Sequence, residues 1–195
     1  KELTSFINDA SPQVMSDAVR AVYDEADAQT FSEHPKSLYA VAGSLDPQHP
    51  PAVNVRAIAA NRRLGTIVSA KRISTFLANP NLSHNLRIQG LYALKSWSKA
   101  SRLDPIDGRY FPVLAGDMDA LKEAIGPEIW ALANDADNNI SRQAISVLQS
   151  INPDRAKLDQ VSDLILDETQ RSDLRKGWLR WLRKWDRILF TSVGT

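Results

Sequence analysis

The chain has no cysteine. That excludes disulfides, zinc–thiolate sites, iron–sulfur clusters, thiol nucleophiles and thioether-attached haem from this stretch of protein. No apolar run approaches the roughly 18 residues of a membrane span, and nothing near the N-terminus reads as a signal peptide. No alternating Val/Ile/Thr run is flanked by hairpin turns, so no strand is predicted. Metal-ligand spacing is missing too. The three histidines, His34, His49 and His84, stand far apart, near expected helix starts or in a Pro-rich loop, where turn and capping roles are expected. The first residue is Lys1 rather than Met, as expected of a piece of a longer protein. What is present is a globular composition, 43% hydrophobic and 24% charged over 195 residues, enough to bury a sizeable core.

Lysine and arginine number 24 against 23 acids, a formal charge of +1. That balance hides blocks. Residues 1–33 carry −5, 34–54 carry 0, 55–109 carry +8, 110–170 carry −7 and 171–195 carry +5. Alternation on this scale bears on surface fields rather than on fold. Either neighbouring blocks neutralise one another within one body, or they mark binding surfaces.

Apolar residues recur at three- and four-residue steps, as in Val14–Ala18–Val22, Leu86–Gly90–Leu94 and Ile140–Ala144–Leu148. That period predicts helices, over 2–8, 12–26, 35–44, 51–64, 67–78, 84–98, 117–133, 139–151, 154–167 and 171–190. Ser11-Pro12 and Asn152-Pro153 supply an N-cap followed by proline in the first turn. Ser83 caps the helix through Leu94, and Asn138 or Asn139 the helix through Leu148. Gly65 is placed to close a helix in the left-handed conformation. Gly126-Pro127 is expected to kink or split its helix. The exception to the short connections is 99–116, "KASRLDPIDGRYFPVLAG", which is long and aperiodic.

Windows 6–24, 76–97 and 132–151 align with one another. Each has an apolar helix end, an Asn/Asp/Pro turn, and a second helix with a small residue (Ala18, Gly90 or Ala144) between two aliphatics. Weaker copies are Val53–Ala57–Asn61 and Leu174–Trp178–Leu182. A helical hairpin cannot bury its apolar face alone, whereas stacked hairpins share one continuous core. The pattern resembles HEAT repeats. It implies an all-α, armadillo-like α-α superhelix of about five helix pairs, one domain over 1–195 with the irregular insertion at 99–116.

Two stretches, "IAANRRLGT" (58–66) and "LKSWSKASRLDPIDGRYFPV" (94–113), resemble the HEAT segment of large bacterial membrane-bound dehydrogenases. In that family a β-propeller dehydrogenase region precedes the repeats and a cytochrome c domain follows them. The matching residues are Asn61, Arg63, Leu64 and Gly65, then Trp97, Leu103, Asp104, Gly108, Arg109 and Pro112. The resemblance implies an extracytoplasmic or periplasmic setting and a spacing or docking role, with the redox chemistry in other domains.

No catalytic residue, metal site or cofactor is predicted in this segment. Asp135-Ala-Asp137-Asn-Asn139 begins like a calcium loop, but Ile140 and Ser146 stand where that loop needs Gly and a bidentate Glu. It reads as a turn between helices. Asp104 and Asp107 with Arg109 form either an acid/base pair or a turn built on Asp104-Pro105 and Asp107-Gly108. On helix 51–64 the apolar stripe is Val53, Ala57, Ala60 and Leu64. Arg56, Arg62 and Arg63 are expected to point away from it. Asn61 sits at its edge, either satisfying a loop carbonyl or holding a peptide backbone. Helix 171–190 sets Leu174, Trp178, Trp181, Leu182, Trp185 and Leu189 opposite Lys176, Arg180, Arg183, Lys184 and Arg187. It reads as a packing helix, a protein or anionic-membrane surface, or a nucleic-acid surface.

The candidate interaction surface is therefore Arg56, Asn61, Arg62, Arg63, Asp104, Asp107, Arg109, Arg180, Arg183 and Lys184. The expected partner is protein, either flanking domains or another subunit. The alternative is a nucleic-acid-binding HEAT-like protein using basic segments 55–109 and 171–190.

Overall fold

A computed structural model describes residues 3–25, 36–97, 103, 104, 106, 108, 118–151, 161, 162, 165–168, 171, 172, 174–180, 182 and 183. Secondary structure among them is helical apart from an isolated bridge at Leu103, with no strand. A 3-10 turn, Leu3–Phe6, precedes α1 (Pro12–Glu25), α2 (Lys36–Gly43), α3 (Pro51–Leu64), α4 (Ile67–Leu77), α5 (His84–Lys95), α6 (Met118–Ala133) and α7 (Asn138–Ser150). Residues 174–180, 182 and 183 are also helical, as are 161, 162, 165 and 166. Most of the helix expected over 154–167, the insertion beyond its four described residues, and everything after 183 lie outside the described residues.

Local chemistry sets most helix ends. The Val14 N–H donates to the Ser11 hydroxyl ahead of Pro12, the Ser69 N–H to Thr66, and the Leu86 N–H to Ser83. Gly65 ends α3 at φ 63°, its N–H reaching the Asn61 carbonyl. In that conformation a side chain would clash.

Three expectations need correction. The predicted helix 2–8 is only the 3-10 turn Leu3–Phe6. The cap of α7 is Asp137, not Asn138 or Asn139: its carboxylate takes the Asn139 and Ile140 N–H groups. Asn138 and Asn139 already lie inside the helix, so Asp137 is the residue whose side chain reaches the free N–H groups. Finally, of the kink or split expected at Gly126-Pro127, the split does not occur, and α6 runs continuously through Pro127. Leu121, Ile125, Ile129 and Leu132 stay buried along one stripe, while Pro127 sits exposed on the opposite side. The ring's steric cost therefore falls on the solvent face.

Packing follows an order. α1 lies against α2 and α3, α2 against α3, α3 against α4 and α5, α4 against α5 and α6, and α7 against both α5 and α6. The odd-numbered helices thus form one continuous row. The small positions of the sequence repeat are buried: Ala18, Ala57, Gly90 and Ala144. A Cβ on Gly90 would lie 2.6 Å from the Leu77 side chain, so a larger residue there would require Leu77 to shift. Two apolar clusters fill the interior. One joins Met15, Val19, Val22, Leu38 and Val41 to Val53, Ala60 and Leu64 of α3. The other runs from Ile58 on the opposite side of α3 through α4–α7 to Leu174 and Trp178. Helix α3 is the partition between them.

Candidate docking site

α3 packs against α1, α2, α4 and α5, and most of its polar residues are buried by those neighbours. Asn54 and Asn61 are fully buried, and Arg62 and Arg63 are each only 5% exposed. The expectation that Arg62 and Arg63 point away from the core is therefore overturned. A one-sided amphipathic pattern does not describe a helix packed against four others.

Each of these side chains fastens a neighbour. The Asn54 amide donates to the Asp46 carbonyl (2.8 Å) and the His49 carbonyl (3.1 Å), and its oxygen accepts the Asp46 N–H (3.1 Å). Seven residues on, Asn61 donates to the Ala42 carbonyl at the end of α2 (2.8 Å) and accepts from Arg72 of α4 (3.0 Å). The Arg62 guanidinium lies 5.1 Å over the Trp97 ring. It donates to the Ser96 hydroxyl (3.0 Å) and to the Ser96 carbonyl, placing a cation on the negative end of α5. Burial lowers its pKa to about 10, so it remains charged at neutral pH.

Arg63 faces the other way, 5.0 Å over the Tyr23 ring of α1 and 3.9 Å from the Asp104 carboxylate. Asp104 is buried, accepts the Tyr23 hydroxyl, and accepts the Ile106 N–H at 2.8 Å. Its carbonyl accepts the Gly108 N–H at 2.9 Å, with Gly108 at φ 72°. Burial and the Asp104 hydrogen bond push the Tyr23 phenol well above its ordinary range. This trio pins the insertion to α1 and α3, and it sets Leu103 and Ile106 over the gap between α3 and α5.

That gap is a cleft of about 660 Å³. Val55, Ile58 and Ala59 of α3, Ala93 of α5, and Leu103 and Ile106 give it an apolar lining. Gln89, Tyr92, Ser96 and Arg62 are its polar groups. Leu103 is 63% exposed and Tyr92 52% exposed, and the Tyr92 hydroxyl lies 3.4 Å from the Gln143 amide of α7. Size and lining suit a small ligand or a short apolar segment of a partner. A shallower cleft of about 870 Å³ runs along α4 past Val68, Lys71, Thr75 and Phe76.

The structure thus brings Asn61, Arg62, Arg63 and Asp104 together, as internal fasteners. Arg56 is half-buried and donates to the Ala52 carbonyl of its own helix (3.4 Å). Arg180 and Arg183 stand exposed on the C-terminal helical residues, apart from that group. Asp107, Arg109 and Lys184 lie outside the described residues, as do His34, Tyr110 and Phe111. His49 Nδ1 is 2.8 Å from the Ser44 carbonyl, and His84 Nδ1 is 2.7 Å from Asp137.

Sequence reading did not single out Tyr23, Ser96, Gln89 or Tyr92. Tyr23 lies 81 residues from Asp104, so no local signal joins them. The exposed Tyr92 within an apolar helix was the one usable hint. No helix among the described residues is long and apolar enough to cross a membrane. No protein-family model matches the chain, and no curated protein matches it.

Proposed function

We propose that the chain is a non-catalytic, HEAT-like stacked-helix module that docks other protein segments. The parent suggested by the resemblance is a dehydrogenase of the propeller–HEAT–cytochrome c type, working outside the cytoplasm. The observation that carries the reading is the fate of the polar groups around α3. Asn54, Asn61, Arg62, Arg63 and Asp104 are spent on holding helices and the insertion in register. The cleft beside them is walled mainly by apolar side chains. The continuous row α1–α3–α5–α7 with α2, α4 and α6 packed against it supports a stack of helical hairpins.

The basic block at 55–109 also favours a protein partner over a nucleic acid. Arg62 and Arg63 are buried, Lys71 pairs with Glu128, Arg72 bonds Asn61 and Arg87 pairs with Asp135. Cations committed in this way contribute little to a phosphate-binding track.

A photo-crosslinking residue at Tyr92 or Leu103, in the parent protein expressed from its own gene, tests the proposal. Crosslinks to a flanking domain or a partner protein are expected. Capture of nucleic acid instead, together with salt-sensitive duplex binding, would replace this reading with the alternative.

A further inference from the structure

Charge is distributed unequally along the described chain. Residues 3–25 hold Asp9, Asp17, Asp24 and Glu25 against Arg20 alone. Asp17 and Glu25 are exposed on α1, and Leu3 and Phe6 of the preceding turn are exposed next to it. At the other end of the packing order, Lys176 and Arg180 are exposed one helical turn apart, with Leu179 beside them 41% exposed. The inner side of this second helix is already occupied: Trp178 stacks on Trp130 of α6 at 5.1 Å, and Gly177 faces Ile145 of α7. α1 is packed on α2 and α3. The two outward faces therefore belong to helices with different neighbours. The α1 face carries more acid than base, its exposed Arg20 being paired with Asp24, the second face carries Lys176 and Arg180, and each has exposed apolar residues.

We propose that the chain associates head to tail with a second copy of itself, the outer face of α1 on one copy meeting the outer face of helical residues 174–180, 182 and 183 on the other. Opposite charges guide the encounter and fix its register, while Leu3, Phe6 and Leu179 supply apolar area that leaves water. Within the acidic block at 110–170, Glu128, Asp135 and Asp137 are engaged by Lys71, Arg87 and His84 and are poorer matches for the basic face. Two unlike patches on every copy make the contact heterologous, so it builds either a closed ring or an open row. Self-association needs only these two faces. It goes beyond the docking role and would leave that role standing if it failed.

Sedimentation velocity of the full chain over a wide concentration range tests it. At low ionic strength the average mass should rise with concentration above that of one copy. It should fall back toward one copy near 1 M salt, where the Debye length shrinks to about 3 Å. Two doubly substituted chains separate the faces: Lys176→Glu with Arg180→Glu, and Asp17→Lys with Glu25→Lys. All four positions are exposed, so circular dichroism should match the parent chain. Each variant alone should self-associate at least about tenfold more weakly, whereas an equimolar mixture should recover association, since acidic and basic faces again meet. A single-copy mass at every concentration and salt, a variant that associates as the parent does, or a mixture that stays single would each overturn the proposal.

Discussion

Asp104 shows how much one side chain can hold. It is the only acid among the buried polar residues of the described chain, and it receives the Tyr23 hydroxyl, the Ile106 N–H and the Arg63 guanidinium nearby. Removing one member of a buried charge pair is costly because the other remains desolvated. Asp104→Ala should lower the unfolding free energy by about 3 kcal/mol, and Tyr23→Phe by about 1–2 kcal/mol, both read from urea denaturation. A loss for Asp104→Ala within the roughly 0.5 kcal/mol typical of surface positions would mean that the insertion is not anchored there. The sequence left Asp104 open between an acid/base pair and a turn, and the Gly108 conformation agrees with a turn. Its burial was not legible, because that depends on a tyrosine far away in the chain. Arg62 and Arg63 follow the same logic. Arginine in a helix reads as a surface residue until the neighbours packed on that helix are known.

Among the helices, the pairing of α4 with α5 turns on Gly90. Alanine is the better helix former by about 1 kcal/mol. Its Cβ, however, would lie 2.6 Å from Leu77, a fully buried side chain. Overpacking a filled core costs about 1–3 kcal/mol, so the steric term wins. Gly90→Ala should destabilise the chain by about 1 kcal/mol net. Leu77→Ala alone should cost about 2–5 kcal/mol through its cavity. The double variant should cost less than the sum of the two, by about 1 kcal/mol. A double-mutant cycle in urea measures this, and strict additivity would show that the two helices do not meet at Gly90. The small residue between aliphatics was visible in the repeat because spacing on a helix face is local information. Which neighbour it admits was not visible. Likewise Ser83 and Gly65 could be read as helix ends, whereas the choice of Asp137 over the adjacent asparagines depended on which side chain reached the free N–H groups.

Over the whole molecule, the turn between α6 and α7 joins successive parts of the stack. Arg87 and His84 of α5 reach Asp135 and Asp137, and Arg171 donates to the carbonyls of Asp135 and Ala136. The Asn139 N–H, then the His84 hydrogen bond and the Ile140 N–H, hold the Asp137 carboxyl below its ordinary 3.8. In the unfolded chain it titrates near that ordinary value. Its contribution to stability is therefore complete above pH 3.8 and is lost as pH falls through the lower folded-state value. Asp137→Asn keeps a capping oxygen but removes the titration, so its urea midpoint should depend less steeply on pH below about 4 than that of the parent chain. Equal slopes would place the acid sensitivity elsewhere.

Helix content, most helix ends and the repeated small positions follow from periodicity and capping, which act within a few residues and so are written in any stretch of the chain. The direction of the α3 side chains, the seating of the insertion on Tyr23 and Arg63, and the cleft between α3 and α5 come from contacts between residues tens of positions apart. A polar side chain bonds to whatever packing brings within reach, and burial makes an unsatisfied alternative costly. For that reason Asn61, Arg62, Arg63 and Asp104 could be singled out as unusual from their order in the chain. Their conversion from surface candidates into internal fasteners required the surrounding helices to be in place.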